Sequence, residues 1–153
     1  MRLRDFLGQS DDKQQEDWSD VRSEQETTQL LQKVYDSFNA GDIDGVLSYC
    51  AEDIEFVFAD VPKISFYRSR RGRDSVAEFF ASMGDHQEPN GAVDIREIIV
   101  QGNKAAVFGH ASFHVKSTDR DWESDFAHMW TVEGGKLTRF QEYADTAAMS
   151  AAY

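Results

Sequence analysis

Four stretches in the second half of the chain alternate apolar and polar residues. They cover residues 93–100, 104–115, 121–132 and 136–145. The pair Gly102–Asn103 joins the first two stretches, and Gly134–Gly135 joins the last two. Period-two alternation is typical of strands, and two-residue Gly and Asn turns connect antiparallel neighbours. The second half of the chain therefore predicts an antiparallel meander.

Helical patterns precede these strands. Ser23 and Glu26 match a capping box, and the residues that follow are apolar at helical spacing until Gly41. Asp42 can cap a short second helix, and a third is expected from Asp74 or Ser75 to Gly84. A strand with an aromatic face is expected over residues 53–60. Helices followed by strands in a short chain predict an α+β domain, with the helices on one face of a curved sheet.

The length of 153 residues suits one compact domain. Residues 1–22 are rich in polar and charged side chains, which predicts a flexible acidic extension. Residues 23–153 are expected to form the folded domain.

Composition excludes several classes of function. The net charge is −12, which disfavours binding to nucleic acid or to anionic membranes. Cys50 is the only cysteine, so no intramolecular disulfide is expected, and no motif for a metal or cofactor is present. No apolar run has the length of a signal peptide or a membrane span, which predicts a cytoplasmic protein.

Three stretches resemble a known family. Residues 35–56 (YDSFNAGDIDGVLSYCAEDIEF), 67–80 (YRSRRGRDSVAEFF) and 129–149 (MWTVEGGKLTRFQEYADTAAM) are similar to SnoaL-like polyketide cyclases and ketosteroid isomerase-related proteins of the nuclear transport factor 2-like superfamily. The resemblance covers residues 27–149. It implies a cone-shaped α+β barrel, in which a curved antiparallel sheet wraps around N-terminal helices and encloses an apolar pocket.

The catalytic positions of the family are mostly not retained. By resemblance, Phe58 stands where ketosteroid isomerases have their general base, and Ala127 stands where they have a protonated Asp. Their oxyanion-hole Tyr aligns with Val34, one position from Tyr35. The related epoxide hydrolases place a carboxylate at the position of Glu142, and only this carboxylate is retained here.

Glu142 is therefore the candidate catalytic residue. Along residues 137–144, Phe140 and Glu142 share one face of a strand, and Phe140 marks that face as the pocket side. A carboxyl group among aromatic side chains resists ionisation, which suits a general acid or base. The alternative is that Glu142 reaches solvent at the strand end or pairs with a cation such as Arg139 or Arg73.

An aromatic wall is expected around Glu142, and Tyr35 is a candidate hydrogen-bond donor within it. The predicted substrate-binding residues are Tyr35, Phe56, Phe58, Phe113, Ala127, Met129 and Phe140. The same residues could instead pack into a filled core. The basic stretch over residues 68–73 could steer an anionic substrate, although surface charges are more often simply solvated.

If Ala127 and Met129 face the pocket, Phe126, His128 and Trp130 face outward. Such an apolar outer face predicts a homodimer packed through the sheet. His110 and His114 are expected on the same outer face. They are about 13 Å apart along one strand, too far to share a metal ion.

Taken together, the residues and the resemblance predict a protein that binds a small hydrophobic molecule. It is expected to act, without a cofactor, as an isomerase, cyclase or hydrolase with Glu142 as the acid/base group. The alternative is a non-catalytic ligand-binding or dimerisation module of the same fold.

Overall fold

The computed structural model describes residues 3–153, with side chains from residue 21 onward. In chain order, its elements are α1 (Leu3–Asn39), α2 (Ile43–Ser48), β1 (Cys50–Val57), β2 (Arg70–Arg71), α3 (Arg73–His86), β3 (Gln87–Pro89), β4 (Asp94–Gln101), β5 (Lys104–Val115), β6 (Arg120–Glu133), β7 (Lys136–Ala144) and α4 (Thr146–Ala151).

The seven strands form one curled sheet in the order β2-β1-β7-β6-β5-β3, and β4 pairs with β5 beside β3. The predicted α+β class and curved sheet are confirmed. All pairs are antiparallel except β1–β7, which are parallel, so the sheet is mixed. Most of the domain lies between β1 and β7 in sequence, and a connection of that length permits parallel pairing.

The meander has the predicted turns. β4 and β5 are joined at Gly102, and β6 and β7 at Gly134 and Gly135. All three glycines have positive φ values, which other residues rarely adopt.

The helix boundaries differ from the predicted ones. α1 runs continuously from Leu3, and Ser23 lies within it, so the predicted capping box is wrong. No proline interrupts residues 3–39, which explains why the helix continues through the motif. The predicted flexible extension, residues 1–22, falls almost entirely outside the described side chains and stays a prediction.

The two shorter helices differ in how they begin. Asp42 caps α2 as predicted, with its carboxylate accepting a hydrogen bond from the Gly45 N–H at 2.9 Å. α3 begins after Gly72, without a side-chain cap, and continues through Gly84 to His86. The predicted caps at Asp74 and Ser75 and the predicted stop at Gly84 are therefore wrong.

The helices cover the concave face of the sheet, and the core lies between them. Leu31 and Val34 of α1, Val46 of α2 and Val76 and Phe79 of α3 are buried in one cluster with the inner side chains of the strands. Along the described residues, no helix is both long and apolar enough to cross a bilayer.

The facing of β6 is the reverse of the predicted one. Trp130 is 4% exposed and Phe126 is 7% exposed, whereas Met129 is 41% exposed. Residues directly opposite each other in a sheet share a face, and Phe126 lies opposite Gly109. Because Gly109 has no side chain, the ring of Phe126 fits over it. The aromatic residues of β6 are thus part of the core.

Candidate functional site

A cavity of about 90 Å³ lies between the helices and the inner face of the sheet. Its wall is almost entirely apolar and aromatic. The ionisable exceptions are Glu142, His128 and the phenols of Tyr35 and Tyr67.

Six of the predicted site residues lie together on the cavity wall. They are Tyr35, Phe56, Phe58, Phe113, Phe140 and Glu142. Sheet register accounts for much of this, since Phe56 of β1 lies beside Phe140 of β7, with ring centroids 4.6 Å apart.

Ala127 and Met129 do not line the cavity. Both lie on the outer face of β6, so their predicted place in the pocket is wrong. The same reversal overturns the predicted outer position of Phe126, His128 and Trp130, which all line the cavity. Either face of a strand in a meander can be the buried one. On β6, the bulky aromatic side chains lie on the buried face.

A chain of hydrogen bonds crosses one side of the cavity. The indole N–H of Trp130 donates to the Tyr35 hydroxyl oxygen at 3.0 Å. That oxygen lies 2.6 Å from Nδ1 of His128, and Nε2 of His128 lies 3.2 Å from Oε2 of Glu142. The four residues form a continuous path from a buried indole to a carboxylate that is partly open to solvent.

Secondary structure brings these four residues together. His128 and Glu142 are directly opposite each other on β6 and β7, which places both on the inner face. Trp130 follows two residues after His128 and shares that face. Tyr35 reaches them from α1, where it lies on the buried side of the helix.

The His128 ring is held by its neighbours. It stacks on Phe126 at a centroid distance of 4.0 Å and on Tyr35 at 5.8 Å, and Phe140 meets it edge-on at 4.8 Å. With its ring fixed, His128 can present one nitrogen to Tyr35 and the other to Glu142.

Burial determines the state of the Tyr35 phenol. Desolvation raises the pKa of Tyr35 far above its ordinary value, the Trp130 hydrogen bond opposes this, and the charge of Glu142 adds to it. The phenol therefore keeps its proton throughout the physiological range.

The predicted cation partners of Glu142 are engaged elsewhere. Arg139 lies 3.9 Å from Glu55 and donates to Gln141 at 3.1 Å. Arg73 donates to the Cys50 carbonyl at 2.9 Å. Glu142 pairs with His128 instead, so the alternative of an arginine pair is wrong.

The basic stretch has a largely structural role. Arg70 is buried and donates to the carbonyl oxygens of Phe66 and Ser75. Among the four arginines of this stretch, Arg68 and Arg71 are the exposed ones. Among the described residues that line the cavity, none is Lys or Arg. Across the described side chains, no three His, Cys, Asp or Glu residues are placed to bind a metal ion.

Sequence reasoning missed His128 and Trp130 as site residues, because it placed them on the outer face. Ala111 and Phe113 are buried on β5 as predicted, and they lie opposite Ser124 and Trp122. A short connection between β5 and β6 fixes this pairing, and counting from it would have placed the even-numbered residues of β6 inside.

The curled mixed sheet and the helices that cover it define an α+β protein of the NTF2-like class. The chain belongs to the SnoaL-like domain family, whose model matches residues 31–140. Among curated proteins, none matches the chain.

Solved structures agree with this assignment. An NTF2-like protein from Burkholderia xenovorans LB400 is 31% identical, with a TM-score of 0.73 over 84% of this chain and 95% of the other. An NTF2-like protein of unknown function from Burkholderia pseudomallei K96243 is 25% identical, with a TM-score of 0.76 over 83% and 96%. TerC, co-crystallised with polyporic acid, is 28% identical, with a TM-score of 0.73 over 83% and 97%.

Proposed function

We propose that the cavity binds a small, uncharged hydrophobic molecule and that Glu142, supported by His128, exchanges a proton with it. The reaction would be a cofactor-independent isomerisation, cyclisation or hydrolysis. The observation that carries this proposal is the Tyr35–His128–Glu142 hydrogen-bond chain on the wall of a largely apolar cavity.

The composition of the wall supports an uncharged ligand. Its aromatic side chains favour apolar groups, and none of the described lining residues is a Lys or Arg that would compensate an anionic ligand. The co-crystallisation of the relative TerC with polyporic acid supports a small organic ligand for this chain as well.

The cavity volume limits the ligand. About 90 Å³ is less than the roughly 150 Å³ of a protein cavity that holds benzene, so a ring-sized ligand requires lining side chains to move. Phe80 and Met83 of α3 are only partly buried, and they are the lining residues best placed to give way.

Glu142 has the geometry of a proton acceptor. His128 engages Oε2, so Oε1 is the oxygen left to take a proton from a substrate C–H group or from water. Nε2 of His128, 3.2 Å from Oε2, holds the carboxylate in position. General acid–base groups of this kind contribute about 10²- to 10⁴-fold to a rate.

The first test combines binding and turnover. A thermal-shift screen with small polyketide, terpenoid, steroid and aromatic ligands identifies compounds that raise the apparent stability, because a ligand of the native state alone must do so. With a ligand found, Glu142→Gln should keep binding within about threefold and lower kcat by at least about 100-fold.

Glu55→Gln is the matched control, since Glu55 is a strand carboxylate that pairs with Arg139 away from the cavity. It should leave kcat unchanged. Full activity of Glu142→Gln would exclude Glu142 as the acid/base group.

The second candidate is a non-catalytic binding module of the same fold. The vacant isomerase positions favour it: Phe58 packs among aromatic rings, Val34 is core, and Ala127 lies on the outer face. A bound ligand that is recovered chemically unchanged, with the same affinity in Glu142→Gln, would support this reading.

A further inference from the structure

We propose that Trp130 is a positioning residue that holds His128 in the Nε2–H tautomer, and that protonation of His128 turns the Tyr35 hydroxyl hydrogen toward the cavity. The inference rests on the proposed function, because it assigns a role to residues of the same site. The donor or acceptor character of each atom determines the direction of every hydrogen bond in the chain.

Trp130 fixes the first direction. An indole N–H can only donate, so the Tyr35 oxygen must accept at 3.0 Å. The hydroxyl hydrogen cannot point toward Trp130, and a tyrosine phenol has a single hydrogen. The polar atom left within reach is Nδ1 of His128 at 2.6 Å, so Tyr35 donates to it.

The tautomer of His128 follows from this donation. A nitrogen that accepts a hydrogen bond carries no hydrogen, so the neutral imidazole has its hydrogen on Nε2. That hydrogen faces Oε2 of Glu142 at 3.2 Å, where a carboxylate accepts it. Every polar atom in the chain then has a partner of the correct type.

The other neutral tautomer is disfavoured at two points. It would direct the Nε2 lone pair at the Glu142 carboxylate, and it would leave the Tyr35 hydroxyl hydrogen without an acceptor in a buried site. An unsatisfied buried donor is costly compared with the net value of a neutral hydrogen bond. Hydrogen bonding from Trp130 also makes the Tyr35 hydroxyl a stronger donor, which adds to the preference.

Protonation of His128 reverses the direction of its hydrogen bond with Tyr35. The imidazolium donates from both nitrogens, so Nδ1–H now donates to the Tyr35 oxygen. That oxygen accepts from Trp130 and His128 together, and its own hydrogen becomes free to turn into the cavity. The imidazolium state, formed when Nδ1 takes up a proton from solvent, thus creates a hydrogen-bond donor on the cavity wall that can stabilise negative charge on a bound substrate.

Few titratable groups lie next to His128. Among the described residues, the titratable groups that face His128 are Glu142 from β7 and Tyr35 from α1. Its neighbours on β5 and β6, Val107 and Phe126, are uncharged. The titratable groups that contact His128 therefore both belong to the same hydrogen-bond chain.

The test is ¹⁵N NMR of the histidine rings in the ligand-free full-length protein, with His128 assigned by loss of its signals in His128→Gln. At a pH where His128 is neutral, we expect a protonated Nε2 and an unprotonated Nδ1. Detection of the Nδ1–H tautomer in the wild type would overturn the proposal without any variant being required.

Trp130→Phe tests the positioning role. Loss of the indole donor should lower the ratio of Nε2–H to Nδ1–H His128 by about three- to tenfold, as expected for one neutral hydrogen bond. Trp122→Phe is the matched control, because Trp122 is also buried and donates from its indole, but to Gln87 at 3.3 Å. An unchanged ratio in a folded Trp130→Phe, or an equal change in Trp122→Phe, would contradict the role.

The hydroxyl proton of Tyr35 tests the reversal. It should give a downfield signal coupled to Nδ1 while His128 is neutral, and that coupling should disappear when Nδ1 becomes protonated. Coupling that persists in the imidazolium state would overturn the reversal. These spectra need no substrate, so a failure here leaves the Glu142→Gln test of the proposed function intact, and the converse also holds.

Discussion

At the scale of single residues, two neighbouring carboxylates act on the pKa of His114 and so on how stability depends on pH. Its Nδ1 lies 2.6 Å from Asp121, and its Nε2 lies 3.1 Å from Asp119. The hydrogen bond with Asp121 raises the pKa of His114 above its usual range, and the same bond lowers the pKa of Asp121.

The sign of the stability effect follows from linkage. The raised pKa of His114 stabilises the fold below pH about 6.5, and this contribution is lost as the pH rises through the folded value. The lowered pKa of Asp121 stabilises it above pH about 3.9, and that contribution is lost as the pH falls through the folded value. The pair therefore contributes most between about pH 4 and 6.5.

Asp121→Asn should move the pKa of His114 back toward its usual value, because the substitution removes the charged acceptor. NMR titration of the ring protons measures this directly. Asp125→Asn is the control, since Asp125 contacts His110 at 2.8 Å. An identical His114 titration in wild type and Asp121→Asn would refute the assignment.

The residues predicted from sequence and those missed differ in a physical way. The shared face of Phe140 and Glu142 follows from their spacing, because residues two apart on a strand point the same way and the aromatic ring of Phe140 marks the buried side. The contact between Tyr35 and His128 could not be found in this way, because the two residues are 93 positions apart and meet only in the folded chain.

At the scale of elements, β5 and β6 pack closely at Gly109, which lies opposite Phe126. A Cβ atom at this position would collide with the Asp94 carbonyl oxygen and would lie 2.6 Å from Cζ of Phe126. Because one of these neighbours is backbone, the strands cannot yield without loss of pairing. We expect Gly109→Ala to lower the free energy of unfolding by about 1–3 kcal/mol or more.

Gly84→Ala is the control for this prediction. Gly84 lies within α3, and a Cβ atom there meets nothing within 4 Å. Alanine is favoured over glycine inside a helix, so this variant should be more stable by about 0.5–1 kcal/mol. Urea denaturation compares the two variants, and equal stability of Gly109→Ala and wild type would rule out the close contact.

The helices and strands are largely predictable from the sequence. Which face of each strand is buried is only partly predictable. Alternation identified β4 to β7, and the glycine pairs identified two turns. On β6, however, both faces carry apolar side chains, so alternation does not distinguish inside from outside. The pairing of Phe113 with Trp122 decides the question, and register is a tertiary property.

At the scale of the whole molecule, the outer face of the sheet carries an apolar patch. Four exposed side chains form it, from four adjacent strands: Ile99, Phe108, Met129 and Tyr143. His110 and His114 lie on the same face, as predicted, each beside carboxylates. The predicted outer positions of Phe126, His128 and Trp130 are wrong, and a dimer through this face stays a prediction.

We expect a second copy of the chain to cover this patch. The apolar centre is flanked by side chains of both signs, including Arg96 with Asp125 and Arg139 with Glu55, which suits a self-complementary interface. The net charge of −12 opposes association of two copies, so dimerisation should strengthen as salt screens the repulsion.

Sedimentation velocity measures this association. Met129→Lys places a charge at the apolar centre of the proposed interface in each copy and should weaken dimerisation by roughly a hundredfold, at about 1.4 kcal/mol per factor of ten. Ala81→Lys adds the same charge on the exposed side of α3 and should leave the dimer intact. A wild-type chain that remains monomeric at high salt and high concentration would show that no second copy covers the patch, because screening removes the main force that opposes it.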